Sequence, residues 1–237
     1  MPVASRVFVL TLVLALPAVT ARGQAGGLTD LPLHEVPRTV PGGVLGVLFS
    51  GDGNWAKLDR TMAEQLAALG VATIGVESRS WLTQGATKDP TSAARDLTRI
   101  LAAYQPRWGG DTLLILGYSR GAEIAPFAVQ GLAPAWRARV HGLVLLGPSP
   151  TANFTFHFAD LLRDHVRPDD VPLAPVIAAL HDVPILCVRG DDEKLSLCTP
   201  SLPGNVTTRS TPGGHHFDGD YRALADSAVR FLRRPVH

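Results

Sequence analysis

Gly117-Tyr118-Ser119-Arg120-Gly121 sets a serine between two glycines, after the apolar run Leu113 to Leu116 and before the helix-forming stretch AEIAPFA. A serine hydroxyl is a weak nucleophile: it needs a base to take its proton and an exposed apex from which to reach a carbonyl carbon. A strand–turn–helix meets the second need, because the two glycines remove Cβ atoms where the chain folds back and leave the serine at the strained apex. The first need points downstream, to an acid and then a histidine, the chain order that accompanies such a turn. The acidic run Gly190-Asp191-Asp192-Glu193 follows the apolar segment Ile185 to Arg189, and a Pro-Gly-Gly turn leads into His215 and His216. Ser119 is therefore the candidate nucleophile. His215 leads His216 as the base, since a histidine directly after glycine is the commoner arrangement. Glu193, third after the strand-terminal glycine, leads as the acid; Asp192 is second, and Asp191 is close enough to compete. Together they would perform acyl transfer, with no metal or cofactor required.

The transition state of that chemistry needs donors for a developing oxyanion. One is the backbone N–H of Arg120, directly after the serine. A second would come from Gly51 or Asp52 in the loop SGDGNW, which follows the first apolar run. The ordinary reading of that loop, a turn in which Asp52 or Asp59 caps a helix, stays open beside it.

These residues must be carried by strands and helices, and the chain supplies both in alternation. VLGVLFS from Val44, VATIGV from Val71, the elbow strand from Thr112, VHGLVLLG from Val140, Ile185 to Arg189 and Val206 to Ser210 read as strands. Between them, Leu58, Met62, Leu66 and Leu69 fall at helical spacing and Gly70 ends that helix; Leu97, Ile100 and Leu101 give residues 91–104 an apolar side. A closing helix begins near Asp220. The pattern predicts an α/β fold with a mostly parallel sheet of about six strands and helices on both faces.

Composition and compartment narrow the function further. Lys plus Arg number 22 against 21 for Asp plus Glu, so no global field draws the chain to nucleic acid or to an anionic membrane. Residues 1–25 read as a secretory signal: Arg6, an apolar stretch from Val7 to Leu16, then small residues with Val19 and Ala21 as one cleavage pair. Residues 26–43 read as a flexible lead-in and 44–237 as a single domain. Export makes a disulfide between Cys187 and Cys198, the only cysteines, the expectation, closing a short loop around Gly190 to Glu193.

FSGDGNWAKLDR (49–60), GYSRGAEIAPFA (117–128), SLC after the acidic run (196–198) and PGGHHFDGDY (212–221) together resemble the VirJ/AcvB bacterial virulence protein family, over nearly all of the chain after Val44. The resemblance implies an exported α/β-hydrolase with Ser119 as nucleophile and its histidine within Gly213 to Phe217. Members similar to AcvB are associated with hydrolysis of aminoacyl-phosphatidylglycerol, notably the lysyl form; others are associated with type IV secretion and virulence. One departure stands out: Arg120 occupies a position where the family's elbow carries an aromatic residue. A cation there would repel a lysyl group, while Asp52, Glu123, Asp218 and Asp220 are carboxylates that could offset it or receive an amine.

The expectation is a periplasmic serine esterase acting on an aminoacylated phospholipid, with transient membrane-surface contact. The alternatives are a general carboxylesterase or lipase, whose lipid-facing cap would lie in Ser78 to Lys88 and Phe154 to Val171 with Trp81, Phe154, Phe156 and Phe158, and an interaction protein partnering a secretion apparatus.

Overall fold

A computed structural model describes residues 28–157 and 167–233; the stretch read as a signal, and Phe158, lie outside the described residues. The core is a seven-stranded sheet. Its strands are β1 (Leu33–Val36), β2 (Val44–Phe49), β3 (Val71–Val76), β4 (Thr112–Tyr118), β5 (Val140–Leu146), β8 (Ile185–Gly190) and β9 (Val206–Thr211), in the spatial order β1-β3-β2-β4-β5-β8-β9. All pair in parallel except β1, which runs antiparallel along β3. The short strands β6 (Thr151–Ala152) and β7 (Val171–Pro172) form a separate pair beyond the end of β5.

Alternation along the strands sorts the apolar side chains onto two faces. Leu113 and Ile115 of β4 join Leu143, Leu145 and Ile185 on one side, while Leu114, Leu116, Val144 and Leu186 point to the other. Helices α2 (Ser78–Thr83), α3 (Pro90–Trp108), α4 (Arg120–Gln130) and α6 (Ala174–Ala179) cover the first face; α1 (Lys57–Ala68) and α7 (Tyr221–Leu232) cover the second. The short helix α5 (Pro134–Arg137) bridges α4 and β5. Strands buried from both sides explain the continuous apolar runs of β4 and β5. Local chemistry sets the helix starts: the Asp89 carboxylate accepts from the Ser92 N–H at 2.6 Å, with Pro90 opening α3.

Two features differ from the sequence expectation. Residues 33–36, within the stretch read as a flexible lead-in, form the edge strand β1, and so the main sheet has seven strands among the described residues. LHEV is too short and mixed to announce itself; tertiary links fix it, with Glu35 bound to Arg107 and to the Tyr104 hydroxyl and His34 bound to Glu77 at 2.8 Å. The segment after β3, offered above as a lipid-facing cap, opens with α2. Its Trp81 is 2% exposed and donates from Nε1 to Asp96 at 2.9 Å, so it belongs to the core and not to a lipid-facing cap. Phe154 likewise packs edge-on against Phe127 at 5.3 Å. No helix among the described residues is long and apolar enough to cross a membrane.

Candidate active site

The registers Phe49↔Gly117 and Gly117↔Leu145 bring the carboxyl ends of β2, β4 and β5 level, and the candidate residues extend from that edge. Ser119 leaves β4 with φ +52°, the left-handed region that a side chain rarely adopts, and stands at the N-terminus of α4. The turn is possible because Gly121 lies against β2: a Cβ there would come within 2.0 Å of the Phe49 carbonyl oxygen. Ser119 thus has the N–H of Arg120 and the positive end of a helix beside it.

The acid and the histidine arrive from the other side. After β8 the chain closes a tight turn in which the Glu193 N–H donates to the Gly190 carbonyl at 3.1 Å. Glu193 folds back over the strand end, and its Oε2 accepts from the Gly190 N–H at 2.7 Å. Its Oε1 lies 2.6 Å from His215 Nδ1, and His215 Nε2 lies 2.8 Å from Ser119 Oγ. A carboxylate only accepts, so Nδ1 carries the proton and Nε2 offers its lone pair to the serine hydroxyl. That is the geometry in which an imidazole can take a proton from serine and a carboxylate can steady the resulting cation.

Asp192 and Asp191 do not share this position. Both are exposed, and their backbone N–H groups donate to Gly213 and Thr211 instead. The turn hydrogen bond carries the third residue back while the first two face outward. His216 is also excluded from the serine; its Nδ1 lies 2.9 Å from the Tyr118 hydroxyl. The disulfide joins Cys187 to Cys198 and encloses the Glu193 turn.

Arg120 is buried and paired. Its guanidinium donates to Glu123 at 2.9 Å, to Asp52 at 3.4 Å and to the Asn153 carbonyl at 3.5 Å. The charge that would repel a cationic substrate is therefore held among carboxylates. Asp220 instead caps α7, its carboxylate accepting from the Ala223 N–H at 3.2 Å. Gly51 packs on the elbow, where a Cβ would come 3.0 Å from the Tyr118 ring and 3.4 Å from Ser119 Cβ. Ser119, His215, Gly51, Asp52 and Arg120 line a cleft of about 490 Å³, joined by Lys57, Asp170, Leu195 and Tyr221.

Two residues of the cleft and its surroundings were not read from the sequence as part of the site. Gly147 ends β5 at φ +58°, and a Cβ there would lie 3.0 Å from the His215 ring and 3.2 Å from Glu193 Oε1. Its only signal is a glycine closing the run VHGLVLLG. Asp59, weighed only as a cap, does accept from the Ala56 N–H at 3.0 Å, yet it also lines the cleft, 1% exposed, and its Oδ1 is buried without a hydrogen-bond partner. Burial pushes its carboxyl from the ordinary 3.8 up to about 7, against the opposing pull of the Ala56, Asp59 and Gly51 backbone N–H groups and of Arg60.

A stability dependence on pH follows. Between about pH 4 and 7 the folded chain holds a proton on Asp59 that the unfolded chain has released. Stability from this group is thus full below pH 4 and is lost as pH rises through 7. Asp59→Asn does not titrate, so wild type should lose stability relative to the variant by at most about 4 kcal/mol between pH 4 and 8. Urea midpoints at both pH values measure it, and a constant difference would refute it.

The family model described as bacterial virulence protein (VirJ) matches residues 43–235. No curated protein matches. The chain is similar to Est1E of Butyrivibrio proteoclasticus, solved with ferulic acid bound, at TM-score 0.55 and 16% identity over 85% of this chain and 94% of that one. It is similar to XC6422 of Xanthomonas campestris, an α/β serine hydrolase without a lid, at 0.55 and 18% over 88% and 94%. MenH of S. aureus aligns at 0.60 and 14% over 85% and 99%. These likenesses establish the α/β-hydrolase fold.

Proposed function

Because the chain belongs to the VirJ family of bacterial virulence proteins, we propose that it is an exported serine esterase whose natural substrate is the aminoacyl ester of an aminoacyl-phosphatidylglycerol. The observation that carries the hydrolase reading is the line Glu193–His215–Ser119, with 2.6 and 2.8 Å links, opening on the cleft. Ser119 Oγ attacks the carbonyl carbon as its proton passes to His215 Nε2; Glu193 holds the imidazolium that forms. The proton then goes to the leaving alkoxide oxygen, and water, deprotonated by the same imidazole, releases the acyl group from Ser119. The Arg120 N–H is one oxyanion donor. The loop after β2 supplies the second, from the N–H of Gly51 or Asp52.

The lipid ester rests on the family resemblance, and the paired state of Arg120 supports it by removing the obstacle to a cationic acyl group. The Cys187–Cys198 disulfide supports an oxidising compartment, the periplasm.

The test is release of free amino acid from lysyl- and alanyl-phosphatidylglycerol by residues 26–237, beside hydrolysis of a short p-nitrophenyl ester and labelling by a serine-directed phosphonate. Release from either lipid is the expected result. Labelling with ester hydrolysis but no lipid turnover would replace this reading with a general carboxylesterase. A folded protein that is neither labelled nor active would be an interaction protein on a hydrolase scaffold.

A further inference from the structure

The loop that carries His215 is built under strain. Phe217 and Asp218 both have positive φ, +51° and +48°, and Gly213 and Gly219 flank them at +88° and +80°. A base held to a nucleophile at hydrogen-bond distance needs such a loop tethered from outside. Phe217 supplies an apolar anchor at 2% exposure. The polar tether comes from Tyr118, the residue immediately before the nucleophile.

Tyr118 is 7% exposed, and its ring lies 5.3 Å from that of His215 and 6.3 Å from that of Phe217. Its hydroxyl lies 3.2 Å from the His215 carbonyl oxygen and 2.9 Å from His216 Nδ1. A carbonyl oxygen can only accept, so the single phenolic proton goes to His215. The phenol oxygen is then the acceptor and His216 Nδ1–H the donor. The pair of bonds closes only with His216 protonated on Nδ1, which assigns the second histidine a defined state as well as a partner. Burial, with the nearby Asp59 and Glu193 carboxylates, pushes the Tyr118 phenol well above its ordinary value, so it remains a donor throughout the working range.

We propose that Tyr118 is a positioning residue that clamps the His215–His216 backbone to the nucleophile turn, with His216 as the second jaw of the clamp. The inference rests on the reading of Ser119 and His215 as the reacting pair. It gives the residue before the serine a role in keeping Nε2 on Oγ that the serine–glycine pattern alone does not supply.

The experiment is phosphonate labelling of Ser119 in wild type, Tyr118→Phe, His216→Asn and His216→Ala, recording the labelled fraction and the rate separately, with kcat and KM on a short ester. Tyr118→Phe keeps the ring and removes the hydroxyl. It should label to full stoichiometry at a rate reduced about tenfold or more, with kcat falling alike and KM changing less than about twofold. An asparagine amide N–H can replace Nδ1–H, so His216→Asn should label at least about three times faster than His216→Ala.

Wild-type labelling rates in Tyr118→Phe would overturn the clamp and leave the esterase reading intact. A reduced labelled fraction that reacts at the normal rate would also overturn it, because the hydroxyl would then serve folding alone. Should Tyr118→Phe fail to fold, equal rates in the two His216 variants would reject it. An unlabelled wild type would instead fail the underlying reading.

Discussion

Ser119→Ala is expected to lower ester hydrolysis on the order of 10⁵-fold and to abolish phosphonate labelling, while the fold survives. The Oγ lies 2.8 Å from His215 Nε2, and no other side chain occupies the apex of the turn. Removing it deletes the atom that forms the acyl bond, and in systems where nucleophile and base act as a unit the loss of either costs about as much as the loss of both. A factor of 10⁵ is about 7 kcal/mol of transition-state stabilisation. What stays is the binding cleft and the oxyanion donors, so KM should move little and a residual rate above that of water should persist. Alanine tolerates the +52° backbone of residue 119 no better than serine. The variant should consequently melt within a few degrees of wild type, since the lost Oγ–Nε2 bond contributes about 1 kcal/mol. Steady-state rates, intact-mass labelling and thermal melts measure each part. Retention of more than about a hundredth of the rate in a folded, unlabelled variant would require a different nucleophile and would remove Ser119 from the mechanism.

How much of this was legible in the chain depends on where the determining interactions lie. The elbow was legible because its signal is local: an apolar strand buried on both faces, two glycines at a close approach and a serine between them. The alternation of strands and helices was legible for the same reason, since periodicity is set by burial along each element. Other features depend on contacts distant in sequence. Strand β1 has a mixed pattern, half-buried to exposed, and is fixed by Tyr104 and Arg107, which lie about 70 residues away by the 69- and 72-residue separations of those bonds. The choice among Asp191, Asp192 and Glu193 rests on a single turn hydrogen bond to Gly190, and three consecutive acids leave no pattern from which to read it. For Arg120 the sequence offered four carboxylates without choosing among them; the fold brings Asp52 and the buried Glu123 to it. Tyr118 was concealed inside the motif that revealed Ser119. Its hydroxyl bonds lie 97 and 98 residues downstream, beyond the reach of any spacing rule.

The disulfide encloses the turn on which Glu193 depends, so it bears on both stability and catalysis. Cys187 sits fully buried in β8 and Cys198 lies 11 residues on, with Cα atoms 5.3 Å apart. Closing a loop of that length removes unfolded-chain entropy worth about 3 kcal/mol in the chain-entropy picture. For a chain of this size such a loss lowers the melting temperature by about 9 °C. The effect on activity should exceed what stability alone explains. The Glu193 carboxylate is placed by the turn at Gly190, and opening the loop lets that turn fray while the β8 pairing with β5 and β9 holds. A base that has lost its orienting acid for part of the time should turn over about tenfold more slowly, even where the protein is fully folded. Replacing both cysteines with alanine would mix this effect with a small cavity beside β8, since Cys187 is buried among apolar neighbours. Reduced wild type keeps both sulfurs and loses only the cross-link. The decisive comparison is thus oxidised against reduced wild type, with urea denaturation for stability and kcat below the unfolding transition. A fall in both confirms that the cross-link holds the acid. A fall in stability with unchanged kcat would show that the Gly190 turn holds Glu193 unaided, and that the disulfide serves only the durability of the fold.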